Sequence, residues 1–281
     1  MASRLRVSCC WAMFVVLGLA IVAPAYALFS DQPTEPESIE VAAYEFPPYY
    51  SSHMEEHLLG ALLEQLNERQ QDYHFAITEV RISHRYQAFD NGGCCALVFF
   101  ENPRWGWEAL LEEKLTRGAL LTRGADLYMS LEDPLKTLEG ESTIGGVQGY
   151  HYNLTNYQQD SSTLESEHSL YLANNQTTLI NMLRRERLDV IIVSDEFVRY
   201  LEANASPIMA DLDYKTAIDQ EYTTYIFARQ DREDVLARVE EELAAMWEDG
   251  ALGHLFEQFG LAEKLYFEPP QETAGDSAAG H

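Results

Sequence analysis

Short apolar runs alternate with leucine-rich helical stretches along this chain, and the pattern runs through twice. Residues 39–43 read as a strand, and Phe46-Pro47-Pro48-Tyr49-Tyr50 cannot continue it. Downstream of Glu55, Leu58, Leu59, Leu62, Leu63 and Leu66 recur at helical spacing. Residues 73–82 return as a strand, and 83–89 form a short helix that Asn91-Gly92-Gly93 stops. An apolar run through Phe100 is the next strand, and Asn102-Pro103-Arg104-Trp105-Gly106-Trp107 is the loop after it. Alternation of this kind marks a mostly parallel sheet covered by helices, an α/β fold.

Residues 132–142 break the rhythm as a crossing segment, after which it restarts. A strand over 143–148 leads to a helix start near Gly149, and a strand over 169–173 follows. Asn174 or Asn175 then caps a helix through Leu183, and the β-branched run 188–193 ends at Ser194-Asp195. Residues 207–212 read as one more strand. Residues 222–228 lead into a helix with Val235, Leu236, Val239, Leu243, Met246 and Trp247 on one side, ended by Gly250. A shorter helix ends at Gly260, and the small, polar residues from Pro269 on read as a disordered tail.

The first residues bear on the compartment. Arg4 and Arg6 precede an apolar core from Trp11 to Val22, and Ala25-Tyr26-Ala27 supplies a small-x-small cleavage site. An uncleaved anchor is the alternative, but the run is shorter than the ~18–20 residues that span a bilayer. The expected leader is 1–27, with a tether over 28–37 and export to the periplasm. Cys9 and Cys10 lie before the apolar core, which argues against a lipid-anchored cysteine at the cleavage site.

With 19 Lys plus Arg against 46 Asp plus Glu, the formal charge is −27, and losing Arg4 and Arg6 takes it to −29. Such a surface repels nucleic acid and anionic lipid and stays hydrated. After cleavage only Cys94 and Cys95 remain, too few for a disulfide framework or a CxxC motif. Adjacent α-carbons lie ~3.8 Å apart, below the usual disulfide range. Two buried thiols on opposite faces of a strand are therefore expected, with a bond between neighbours as the alternative.

Several local patterns resemble one family. Phe46-Pro47-Pro48-Tyr49 is similar to its segment after the first strand, and residues 143–150 (TIGGVQGY) to the strand that opens its second lobe. Arg187-Leu188-Asp189-Val190 with Asp195, and 239–259 with Asp249-Gly250, resemble its later strand and its terminal helices. The order and spacing, over residues 38–264, resemble the type II periplasmic solute-binding proteins, in particular those that bind polar amino acids. The resemblance implies a two-lobed fold with a discontinuous lobe I, 38–131 and 222–264. Lobe II would be 132–221 and the tail 265–281. It implies a monomer that hands a small polar ligand to an ABC permease or a membrane sensor, with no cofactor and no chemical step.

Ligands of open parallel sheets sit beyond the carboxyl ends of the strands. That rule gathers residues 44–50, 101–107, 149–151 and Asp195 around one cleft. Arg104 suits a ligand carboxylate, the role the resemblance implies for it, and a surface ion pair is its plainer role. Glu101 stands where the family has Thr or Ser, so it would either neutralise Arg104 or meet a cationic ligand. Asp195 would accept a ligand ammonium or cap the helix after it. Gly149 offers backbone N–H groups, and Tyr150 replaces the hydroxyl residues expected there. Among the aromatics, Tyr49 and Trp105 are the preferred cleft residues.

Two further readings belong to other classes. Glu101 beside Arg104 would serve an enzyme of dehydratase or lyase type on the same scaffold. His53-Met54-Glu55-Glu56-His57 matches a zinc-hydrolase pattern in form, without a third ligand at an obvious spacing.

Overall fold

The computed structural model describes residues 35–268. The expected leader, residues 28–34 of the tether and residues 269–281 lie outside the described residues. The strands are β1 Glu37–Ala43, β2 Tyr73–Glu79, β3 Leu97–Glu101, β4 Leu115–Ser130, β5 Ile144–Val147, β6 Leu170–Ala173, β7 Val190–Ser194, β8 Lys215–Arg229 and β9 Leu265–Glu268. The helices are α1 Leu58–Arg69, α2 Glu108–Glu113, α3 Pro134–Leu138, α4 Ser161–Glu167, α5 Gln176–Arg184, α6 Asp195–Ala203, α7 Glu233–Glu248 and α8 Ala251–Gln258. A 3₁₀ segment, Ile82–Phe89, follows β2.

The sheet runs β2-β1-β3-β8-β4-β7-β5-β6, with β9 pairing β4. β1 is parallel to β2 and β3, and β5 is parallel to β6 and β7. The expected mostly parallel sheet is in fact mixed, because the two longest strands are antiparallel to their neighbours. β4 and β8 pair along nearly their whole length and carry the chain from one half of the sheet to the other. β4 pairs with β9 up to Thr122 and with β7 from Asp126.

Each half has its own apolar interior. β1, β3, α1, α7 and α8 enclose Val41, Leu62, Leu97, Phe227, Val239 and Phe256. In the second half β7 is buried on both faces. Ile191 and Val193 join one cluster with Leu179 and Phe197; Val190 and Ile192 join another with Tyr128 and Tyr152. That is why its sequence is a continuous β-branched run instead of an alternating one.

Caps set the helix starts. His57 Nδ1 accepts the Gly60 N–H at 2.9 Å, so α1 begins at Leu58 and the histidine serves as its N-cap. Asn175 accepts the Thr178 N–H at 2.8 Å and starts α5.

Several expectations are corrected. Residues 207–212 form turns, with Met209 N–H bonded to Ser206 O and Ala210 N–H to Pro207 O. Their apolar side chains pack onto the second half without joining the sheet. β4 was not legible as a strand: it passes from one core to another with register shifts at Arg117/Leu120 and Asp126/Leu127, so its burial never alternates cleanly. The helix near Gly149 is delayed: Gly149 is followed by a 3₁₀ turn, Asn153–Thr155, and then α4. β9 occupies the first four residues of the expected tail. Cys94 and Cys95 form a disulfide. They precede β3 in an irregular segment, so no pleat forces their side chains to opposite faces.

Candidate functional site

Between the two halves lies a cavity lined by Tyr44, Phe46, Ile82, Arg85 and Trp105 from one side and Gly149, Tyr150 and His151 from the other, with Asp126 of β4 completing it. It is small, about 300 Å³ when every gap and its open mouth are counted. The turn after β1 aims Phe46 inward, because Phe46 and Tyr50 exchange backbone hydrogen bonds at 2.8 and 3.0 Å. Trp105 sits in the loop after β3. Asn102 Oδ1 accepts the Arg104 N–H at 2.8 Å, and Asn102 Nδ2 donates to Thr223 O of β8 at 2.7 Å, which pins that loop to the crossing strand.

Arg85 organises the site. It is 3% exposed and donates from Nη1 to Ile82 O at 2.9 Å and Gly149 O at 3.0 Å. From Nη2 it reaches Tyr86 Oη at 2.8 Å, His151 Nδ1 at 3.3 Å and Trp105 O at 3.4 Å. Its guanidinium lies over the rings of Tyr44 and Tyr86, 5.1 and 4.6 Å from their centroids. Its Nε–H, buried, has no partner among the described residues. A buried donor left unpaired costs about 1–3 kcal/mol, so an acceptor supplied from outside would be rewarded there.

Gly149 serves this arrangement through its backbone. Its φ is +84°, and a β-carbon there would approach Ile82 to 3.1 Å. Glycine adopts that conformation without strain and leaves its carbonyl turned toward Arg85. His151 is held neutral: burial, and then the Arg85 charge, push its pKa down to about 3.

Asp126 is the other polar wall. It is 5% exposed, and its Oδ2 accepts from Gln220 Nε2 at 2.7 Å. The same amide nitrogen donates to His151 O at 2.7 Å. Burial pushes the Asp126 carboxyl up to about 8; the Gln220 hydrogen bond pulls against that, while the charges of Asp219 and Asp195 add to it. The aromatic walls meet nearly at right angles. Phe46 lies 5.6 Å from Trp105 with planes at 90°, and 5.7 Å from Tyr150 at 87°.

The sequence-expected residues separate into three places. Trp105, Gly149 and Tyr150 line the cavity. Tyr49 and Glu101 are buried outside its lining. The Tyr49 hydroxyl lies 3.2 Å from Thr122 Oγ1 and 3.1 Å from Glu196 Oε1. Glu101 is wholly buried and accepts the Trp107 indole N–H at 2.7 Å; burial raises its pKa to about 7, against the pull of the Arg85 charge. Arg104 and Asp195 line a different, wider groove with Arg123, Tyr222 and Lys264. Arg104 is exposed and lies 4.0 Å over the Tyr157 ring. Asp195 is already satisfied: its Oδ1 accepts the Ala125 N–H at 2.9 Å and its Oδ2 pairs with Lys264. The capping position before α6 belongs to Ser194.

Arg85 and Asp126 were missed at the sequence level. Arg85 carries no periodic signal inside a 3₁₀ segment. Asp126 had one: an acid amid Ala125, Leu127 and Tyr128 is a buried strand acid once β4 is recognised as a strand.

In sequence the chain matches no described protein family and no curated protein. In fold it is similar to a putative L-cystine ABC transporter protein from Listeria monocytogenes, with 14% identity, a TM-score of 0.61, and 82% of this chain and 98% of that one covered. It is also similar to an ABC uptake transporter substrate-binding protein from Streptococcus pneumoniae with bound histidine (11%, 0.60, 79% and 92%). A third likeness is to a histidine kinase sensor domain with similarity to periplasmic binding proteins (14%, 0.56, 80% and 96%). The chain has the α/β fold of the two-lobed periplasmic binding proteins.

Proposed function

We propose that this protein is an exported solute-binding protein that closes two lobes around a small polar, amino acid-like ligand without transforming it. One observation carries the reading. A buried arginine with an unpaired donor and a buried carboxyl group line one cavity whose walls come from both halves of the sheet. Lobe closure around a ligand is the ordinary action of such a hinge. The likeness to a transporter-associated binding protein and to a sensor domain supports an ABC permease or a membrane sensor as the partner. Among the described residues no helix is long and apolar enough to cross a membrane.

In this reading lobe I is 38–131 and 222–264 and lobe II is 132–221, with the crossing strands shared. The change of partner along β4 between Thr122 and Asp126 favours a hinge earlier than residue 131. β9 adds to lobe I through its pairing with Leu120 and Thr122.

The test is calorimetry against a library of amino acids, amines, small acids and osmolytes, followed by mass spectrometry of the recovered ligand. Micromolar binding with the compound returned unchanged is the expected result. Binding lost in Arg85→Lys and kept in Arg104→Ala would assign the cavity. Silence across the library, or appearance of a product, would overturn the proposal.

A further inference from the structure

The cavity holds few free acceptors, and this restricts the positive end of any ligand. A primary ammonium brings three N–H donors, and burying them unpaired is costly. Yet each of the surrounding carbonyls already accepts at least one hydrogen bond. Arg85 takes Ile82 O and Gly149 O; Arg85 and the Tyr86 hydroxyl, at 2.6 Å, take Trp105 O. Gln220 takes His151 O, and the Tyr150 hydroxyl donates to Glu45 O at 3.0 Å. Gln220 occupies Oδ2 of Asp126 and leaves its other oxygen for the cavity. The remaining surface there is aromatic: Phe46 with Trp105 and Tyr150 standing across it.

A carboxylate behind a corner of aromatic rings suits a cation that carries its charge on methyl groups. Such a cation needs no hydrogen-bond acceptors, is attracted to the ring faces and is weakly hydrated. At the other wall, the Arg85 Nε–H would give an anionic end a charge-assisted hydrogen bond. Resting on the solute-binding reading, we propose that the ligand is a compact zwitterion with a fully methylated ammonium and a carboxylate, held with its methyl groups against Phe46, Trp105, Tyr150 and Asp126 and its carboxylate on Arg85.

Binding such a cation ionises Asp126 and releases its proton. The groups around this carboxyl are Asp219 and Gln220 of β8, Asp195 of α6, His151, Arg85, and the phenols Tyr128, Tyr150, Tyr152 and Tyr222. Of these, His151 stays neutral near pH 7, and the phenols are shifted upward, away from that range. Affinity for the methylated ligand should therefore rise roughly tenfold per unit as pH climbs toward 8.

The experiment titrates the full protein with glycine, β-alanine and γ-aminobutyrate, each beside its N,N,N-trimethyl counterpart. At least one trimethyl compound is expected to bind tenfold or more tighter than its parent. Asp126→Asn should flatten the pH dependence, and Phe46→Leu should weaken trimethyl binding severalfold while thermal unfolding shows the fold intact. Parents binding as tightly as their trimethyl forms would overturn the methylation inference and leave solute binding standing. It is overturned in the same way if none of the six binds but another library compound does. If nothing in the library binds, the solute-binding reading itself fails.

Discussion

Replacing Asp126 by asparagine isolates one titratable group in the cavity wall. The wild-type carboxyl has an ordinary value of 3.8 and is raised to about 8 in the fold, chiefly by burial. A carboxyl with a raised folded pKa holds its proton more tightly in the folded state than in the unfolded one. Its contribution to stability is thus fully present below about pH 4 and drains away as pH rises toward 8. Each pH unit inside that window is worth about 1.4 kcal/mol. Asparagine has no proton to lose and keeps an acceptor for Gln220, whose amide sits 2.7 Å away in the wild type. Between pH 5 and pH 7.5 the stability of Asp126→Asn relative to wild type should therefore improve by about 3 kcal/mol. Urea unfolding at a series of pH values, followed by far-UV circular dichroism, measures it. A difference that stays flat across that range would falsify the picture, since the carboxyl would then be ionised in the fold and the cavity wetter than its lining implies.

Three other outcomes follow from separate contacts. Gly124→Ala should destabilise the protein by about 1–3 kcal/mol or more in thermal unfolding, because its β-carbon would collide with Glu196 Oε1, of a buried carboxyl that Tyr222 bonds at 2.9 Å. No change in melting temperature would mean that Glu196 is free to move aside. Trp107 fluorescence should titrate with a midpoint near 7, the raised value of Glu101, and Glu101→Gln should abolish the transition. In protein prepared without residues 1–27, thiol titration should find no free cysteine before reduction and two after it, with ligand affinity unchanged, because the Cys94–Cys95 bond lies just before β3, away from the cavity lining.

Strand and helix identities were legible wherever burial has a regular period. The leucines of α1 and Val235, Leu236, Val239, Leu243 and Met246 of α7 show the spacing that their burial in the first core requires, whereas Trp247, expected on the same side, is exposed. β7 declared itself by β-branched residues on both faces. Legibility failed where one element serves two cores. β4 is buried on changing sides along its length, so its sequence has no single period, and the expected parallel sheet missed its antiparallel centre. It failed again at 207–212, where Ile208, Met209 and Leu212 are apolar because they pack on a core, not because they pair in a sheet.

The site divides along the same line. The loops that end the strands were visible as Pro-, Gly- and aromatic-rich breaks, and Trp105, Gly149 and Tyr150 on those loops do meet across the gap. Which charges meet there was not visible. Arg104 and Asp195 had the more suggestive positions, and they share the wider groove, where Arg104 lies over Tyr157 and Asp195 pairs with Lys264. Arg85 and Asp126 took the cavity instead. Hydrophobic periodicity is a local property that each segment carries by itself, so the amino-acid order alone determined the α/β character and the doubled rhythm. A charge finds its partner only after distant segments dock, and from Arg85 to Gly149 and from Asp126 to Gln220 that choice belonged to the tertiary structure.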